Sequence, residues 1–341
     1  MPANIAYDAR MNRHQAVYVG KPAWHGLGTV VDDALTPEQA LEAAGTAYTV
    51  DKAPLFAKIG DRFVEMPEYR ATYRTDTEDV FAPVSADYPV IQNLTPMQML
   101  AEIVRTGEAG IVSHAALGKG ERLFAVLDLK RLTDLTIPGD PSKHDAFLVA
   151  QWWHNGGGAL TFTESMVRVE CQNMADANLA YAHRTGKLAR VIHTGDTRSA
   201  VEESRRTLGF AERDVQAFVK LMATLSDIPI PSRSWIAGFT ERLIPIEPEA
   251  ERPTRRLAAR ETIAALYANS STLVGVPETA YRAFNAVTEF VDHYRPLYVS
   301  DEALVPAKRF TTQVDGSGAR LKDQALRLLV DEFEVPTGSA R

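Results

Sequence analysis

Two adjacent tryptophans and a histidine, Trp152, Trp153 and His154, lie between Lys119 and Arg122 upstream and Arg168, Arg184, Lys187 and Arg190 downstream. Cations interleaved with aromatic rings are what a single-stranded nucleic acid requires. Guanidinium and ammonium groups hold its phosphates, and each base stacked on a ring adds roughly 1–3 kcal/mol. Neighbouring residues on a strand point to opposite faces, so one tryptophan belongs to a core and at most one can be a platform. Trp153 is the candidate, and the spacing alone leaves the choice between the two open. Basic residues on hairpin turns are common, and on these residues alone solvated surface charge explains the set better than a groove does.

Other chemistries lack their residues. The eight histidines are scattered, no two of them four apart as in a helical zinc motif, and Cys171 is the single thiol. A disulfide within the chain and a multi-thiolate metal site are therefore excluded, and Cys171 is expected to be a small core residue. Gly118-Lys119-Gly120 and the three glycines after Asn155 sit inside hairpins, whereas a phosphate-cradling loop joins a strand to a helix. No Gly-x-Ser-x-Gly elbow occurs, and the acidic pairs Asp32-Asp33 and Glu202-Glu203 are adjacent, so their carboxylates diverge. The expectation is a protein that is not an enzyme and holds no cofactor or metal. The enzymatic alternative is a nuclease using Asp76 or Glu170 with a metal ion.

Composition sets wider bounds. The chain has 341 residues, 45% hydrophobic and 24% charged, with 37 basic and 44 acidic side chains and a net charge of −7. Apolar runs fall short of the roughly 18 residues a membrane span needs, and the first residues lack a secretory pattern, so the expected compartment is the cytoplasm. Net acidity argues against coating duplex DNA by bulk charge. Charge is uneven, however: residues 101–200 hold 11 groups of each sign, and Arg184, Lys187, Arg190 and Arg198 face only Asp196 between Tyr181 and Ala200.

These residues need elements to position them. Thr36-Pro37-Glu38-Gln39 has the residues of a helix start, with Gly45 ending the helix. Extended runs follow over 53–59, 62–66, 69–75 and 80–84, with a Gly60-Asp61 hairpin turn. A second helix is expected from Thr95-Pro96 to Gly107. The strongest strand patterns are 111–117 with 122–129 and 146–154 with 159–163, a four-strand meander. Val167, Cys171, Met174 and Asn178 recur at helical intervals, which predicts a helix from Thr163 or Ser165 to about His183. Beyond Asp196, amphipathic helices are expected over 199–208, 212–225, 255–269, 279–293 and 319–333. The predicted fold is α+β: an antiparallel meander with helices over 1–197, then a mainly helical module over 198–341.

Seven short motifs in order carry a family resemblance: Trp24-His25-Gly26-Leu27-Gly28, Tyr73-Arg74-Thr75-Asp76, Ile91-Gln92-Asn93, Gly118-Lys119-Gly120-Glu121-Arg122, Arg168-Val169-Glu170-Cys171-Gln172-Asn173, Arg190-Val191-Ile192-His193-Thr194 and the run Asn285 to His293. Over about residues 20–330 the chain resembles the phage and plasmid proteins of domain of unknown function 932. The resemblance implies a setting in mobile genomes, near replication and recombination functions. It maps recurrent residues onto His25, Arg74, Asn93, Arg122, Arg168, Asn173 and His193, without assigned roles. The meander followed by a helix also looks like the core of phage single-strand annealing proteins. Together these imply a homo-oligomer that binds single-stranded DNA through Arg74, Lys119, Arg122, Trp153, Arg168, Arg184, Lys187 and Arg190. The alternative is a structural or interaction factor that engages a phage or host replication protein through its helical module.

Overall fold

The computed structural model describes residues 5–20, 27–33, 35–105, 107, 109–130, 132–157, 160–168, 173–175, 189–191, 213, 215–246, 253–298 and 317–336. In chain order the strands are β1 (Tyr7–Asp8), β2 (Arg13–His14), β3 (Ala16–Val19), β4 (Thr29–Val31), β5 (Val50–Ile59), β6 (Arg62–Arg74), β7 (Val80–Ser85), β8 (Ala109–Leu117), β9 (Arg122–Leu129), β10 (Leu135–Thr136), β11 (Lys143–Trp153), β12 (Leu160–Arg168), β13 (Asn173–Ala175) and β14 (Ala189–Val191). The helices are α1 (Pro37–Ala44), α2 (Leu94–Arg105), α3 (215–226), α4 (Arg233–Leu243), α5 (Pro253–Asn269), α6 (Ala280–Glu289) and α7 (Ser317–Glu332). The fold is α+β, with a largely helical C-terminal part.

A mixed sheet dominates the N-terminal part, in the order β13-β12-β11-β9-β8-β3-β4, with β10 on β11 and β14 on β12. Its centre is the expected meander of β8, β9, β11 and β12, antiparallel throughout. Apolar residues alternate so that both faces are buried. Ala116, Leu123, Ala125, Leu127, Leu148, Ala150 and Trp152 meet α1 and α2 on one side. Tyr18, Ala115, Phe124, Val126 and Val149 form a second cluster with Ile5.

Local signals explain the first helix. Thr36 accepts a hydrogen bond from the Gln39 amide at 3.2 Å, and the Gln39 side chain accepts from the Thr36 amide at 2.9 Å. This reciprocal capping fixes the start, and Gly45 at φ 69° ends the helix in the left-handed region. The second helix begins at Leu94, so Thr95-Pro96 lies inside its first turn and Asn93 is freed for the core.

The helix expected from Thr163 or Ser165 is replaced by sheet. Strand β12 continues through Arg168 and pairs with β11 from His144↔Arg168 to Gln151↔Thr161, and β13 adds Asn173–Ala175 beyond it. Thr161, Thr163 and Val167 recur along β12 in the sequence at multiples of two, a β-branched spacing that pairing with β11 favours over the coincident helical one. Val167 and Met174 therefore lie directly opposite each other on two strands. Cys171 and residues 176–188 lie outside the described residues.

A separate three-stranded sheet orders β5-β6-β7. The Gly60-Asp61 turn is present. Strand β6, however, runs unbroken through Pro67, where two separate runs were expected, and a register shift between Pro54 and Phe56 absorbs the irregularity.

In the helical part, α3, α5, α6 and α7 lie close to the expected spans, whereas α4 does not follow from the sequence pattern. Ser232 precedes α4 without a side-chain cap, and the Ile-Pro-Ile-Pro-Ser stretch before it reads as turn. The expected helix 199–208 lies outside the described residues. Helix α6 is buried along its whole length and runs into a π-helical turn, Phe290–Tyr294. Tyr281 bonds Asp140 of the sheet half, whereas the polar residues toward the end of the helix find partners within the helical part. Glu289 accepts from Ser270 at 2.7 and 2.8 Å and from Thr272 at 2.8 Å, and Asp292 pairs with Lys322 at 2.6 Å. Asn285, Glu289 and Asp292 thus brace the helical core itself. Ile137 from the sheet half lies in that core, Val215 lies in the sheet core, and Leu135 and Val219 touch both.

Candidate nucleic-acid interface

Arg122 and Trp153 are directly opposite residues on β9 and β11, so their side chains share one face of the sheet. The Arg122 guanidinium carbon lies 5.4 Å from the centroid of the Trp153 ring, and its Nη2 donates to the Gln151 side-chain oxygen. Trp153 is half-buried, while Trp152 is fully buried, which resolves the pair: Trp152 is core and Trp153 is the ring available at the surface. Lys119 is exposed on the adjoining β8–β9 turn. The turn can pass so close to Tyr48 only because residue 120 is glycine. At φ 106°, a β-carbon there would lie 2.5 Å from the Tyr48 hydroxyl.

The remaining candidates divide. Arg190 on β14 is opposite Thr161, which is opposite Gln151, so its backbone joins the same end of the sheet as Arg122 and Trp153. Arg168 stands opposite His144, nine residues along β11 from Trp153. At the strand rise per residue this is about 30 Å away, so the sheet does not bring Arg168 to the Arg122 site. Arg184 and Lys187 lie outside the described residues.

Arg74 is placed in the interior, 4% exposed. Its Nε and Nη2 donate to the two oxygens of Asp76, each at 2.9 Å, and Nη1 donates to Gln15 at 3.1 Å and to the Lys119 carbonyl at 3.0 Å. Its guanidinium carbon sits 3.8 Å from the Tyr48 ring centroid. Burial works against the Asp76 charge, but hydrogen bonds from Arg74 and Arg10 outweigh it and hold the carboxyl below its ordinary range. Arg74 therefore braces the Lys119 turn from beneath, with its donors committed inside the protein. That coupling also explains Tyr73-Arg74-Thr75-Asp76 as a motif: the cation and its anion are two residues apart and close on each other.

Behind Trp153 lies a buried polar network. The Asn93 amide nitrogen donates to the carbonyls of Thr46 at 2.9 Å and Tyr48 at 3.4 Å, which aims its oxygen at the indole N–H of Trp152, 3.1 Å away, and at Nε2 of His154, 2.7 Å away. His154 must then carry its proton on Nε2, which leaves Nδ1 buried with no partner. His114 stacks on Trp152 with ring centroids 5.6 Å apart, while its Nδ1 donates to the Phe124 carbonyl at 2.8 Å. Burial lowers both imidazole pKa values to about 4. These histidines are neutral core groups. Tyr88, whose hydroxyl donates to the Trp153 carbonyl at 3.1 Å, holds the same strand end from the outside.

Sequence spacing did not single out Gln151, Tyr88 or Tyr48, because each acts across strands or loops far apart in the chain. It also missed a buried cluster at the sheet–helix junction. There Tyr281 of α6 donates to Asp140 at 2.6 Å, and its oxygen lies 3.1 Å from His144 Nε2. All three are buried, so the cluster ties the β10–β11 region to α6. Among the described residues no three His, Cys, Asp or Glu side chains converge as a metal site, and no helix is long and apolar enough to cross a membrane.

Residues 80–327 match the family model described as Domain of unknown function (DUF932), nearly three quarters of the chain. The chain belongs to this family. The DUF932 match contains Ile91-Gln92-Asn93, the Gly118 to Arg122 turn and Asn285 to His293, while the motifs at 24–28 and 73–76 precede it. Within the DUF932 region, Asn93 thus organises the network under Trp152, and Arg122 forms the surface pair with Trp153. Comparison with curated proteins and with solved structures gives no match.

Proposed function

We propose that this chain is a single-stranded-DNA-binding and annealing protein, homo-oligomeric and non-enzymatic, of the kind used in recombination or replication by phage and plasmid genomes in a bacterial cytoplasm. One observation carries the reading: a guanidinium and a half-exposed indole, Arg122 and Trp153, side by side on a rigid sheet with Lys119 on the adjoining turn. The cations hold consecutive phosphates and the indole stacks on a base. Contacts of this kind leave Watson–Crick edges free for a complement. Gln151 and the Tyr88 contact hold the pair in place, so little side-chain entropy is lost on binding.

The test is retention of a dye-labelled oligonucleotide over a salt series. Wild-type retention should fall steeply between about 50 and 200 mM salt through counterion release. Arg122→Ala should weaken it about tenfold and reduce the salt slope by about one, whereas Trp153→Ala should weaken it with the slope unchanged, since a stack releases no counterion. Unchanged retention in both folded variants would remove this sheet end from the interface.

A further inference from the structure

The exposed large apolar side chains of the sheet half concentrate in one hairpin. On the distal part of β5 and β6, Phe56 is 51% exposed, Ile59 60%, Phe63 70% and Val64 43%. A two-stranded hairpin is marginal by itself in water and gains stability by covering a face. Here neither face is covered: from Phe56 to Glu65 every residue except Ala57 is exposed. A contiguous exposed patch of this kind marks an interaction surface.

The register determines what the patch presents. Phe56 is opposite Glu65, and Lys58 is opposite Phe63. Phe56, Lys58, Phe63 and Glu65 therefore share one face as a two-by-two array, with the phenylalanines on one diagonal and the opposite charges on the other. This array complements itself. Laid face to face about a two-fold axis along the phenylalanine diagonal, each Phe meets its own copy, and each Lys58 meets Glu65 of the other chain. Such matching of one patch with itself is the requirement of a two-fold interface. The strands then cross at a wide angle, toward the orthogonal class of sheet packing. Across the arm, Lys58 and Arg62 alternate with Asp61, Glu65 and Glu68, so it offers no single-sign surface to a nucleic acid or to a strongly charged protein.

We propose that the β5–β6 arm is a self-association surface whose partner is the same arm of a second copy of this chain, with Phe56 and Phe63 at its centre and reciprocal Lys58–Glu65 pairs at its edge. The proposal deepens the homo-oligomeric part of the function proposed above. Its test contains no DNA, so its failure and the failure of the annealing reading are separable.

The measurement is mass by light scattering and sedimentation over a concentration series of the full chain. Wild type should self-associate. Lys58→Glu alone and Glu65→Lys alone each bring like charges together twice and should weaken association about tenfold or more. Glu65 also lies 3.8 Å from Arg70, so Glu65→Lys disturbs its own arm as well, and Lys58→Glu is the cleaner of the two. The decisive arm mixes the two variants in equal amounts. In a mixed pair the introduced glutamate faces the introduced lysine, and the retained Glu65 of one chain faces the retained Lys58 of the other. Association should therefore return only between unlike chains. Phe63→Asp should abolish association in a chain whose circular dichroism and melting match wild type, because residue 63 lies outside the core. A monomeric wild type, or an assembly whose mass is unmoved by Phe63→Asp and by both charge reversals, overturns the proposal. So does a mixture that stays as weakly associated as its components.

Discussion

Lowering the pH from 7 to 4 should cost the fold about 6 kcal/mol through two histidines alone, about 3 kcal/mol from each. His114 and His154 are fully buried, and burial holds both folded pKa values at about 4. An unfolded histidine titrates near 6.5. With the folded value below the unfolded one, the unfolded chain binds protons first. The stabilisation is complete above the unfolded value and is lost as pH falls from about 6.5 toward 4. The structure gives each depression its cause. Protonating His154 would place a new N–H on Nδ1, which has no acceptor, while Nε2 already serves Asn93. Protonating His114 would put a charge on a ring fully removed from water, although its bond to the Phe124 carbonyl opposes the shift. Urea denaturation at pH 7, 6, 5 and 4 should show stability falling by roughly 2 kcal/mol per pH unit in the middle of that range, and about half of this slope should remain in a folded His114→Gln variant. Stability that stays flat from pH 6.5 to 4.5 would contradict the assignment of these rings as neutral core groups.

Lys322→Met should lower stability by about 3–5 kcal/mol, the cost of taking the counter-charge from a buried carboxylate. The Lys322 ammonium and the Asp292 carboxylate lie 2.6 Å apart, with side chains 0% and 1% exposed, and join α7 to the π-helical turn after α6. Removing the cation leaves the carboxylate in the interior. Because the loss comes from taking the counter-charge away from a buried carboxylate more than from the pair's own net strength, the double variant Lys322→Met with Asp292→Asn should recover much of it. Chemical denaturation of the two single variants and the double variant measures this directly. Additive losses in the double variant would show that the two side chains stabilise the fold separately.

Elements with reciprocal local signals were legible in the sequence. The Thr36–Gln39 capping pair defined α1, and the glycine-bearing turns before Arg122 and before Leu160 defined the meander. What failed was a segment with two periodicities at once. Val167, Cys171 and Met174 fit a helix, while the β-branched residues of β12 fit a strand, and the free edge of β11 decided between them. Over Ser165–Arg168 and Asn173–Ala175 the expected helix is therefore strand. The candidate site was partly legible for a related reason. Residue type identified Arg74, Arg122, Trp152 and Trp153, but burial separates them into roles. Trp152 is interior on the side of the meander that α1 and α2 cover, Arg122 and Trp153 are half-buried at one end of its other side, and Arg74 is interior on β6 of the separate three-stranded sheet. Arg168 shows the other limit of spacing, since its closeness to the cluster in sequence becomes the length of a strand in space.

The central claim is that the Arg122–Trp153 end of the sheet holds single-stranded DNA and promotes pairing. The most direct measurement is the rate at which two complementary dye-labelled oligonucleotides pair with the protein present, at low and at moderate salt. Wild type should accelerate pairing above the spontaneous rate, more strongly at low salt, and a folded Arg122→Ala, Trp153→Ala double variant should return the rate toward the spontaneous value. Pairing no faster than spontaneous at either salt, or an acceleration that the double variant retains in full, would contradict it.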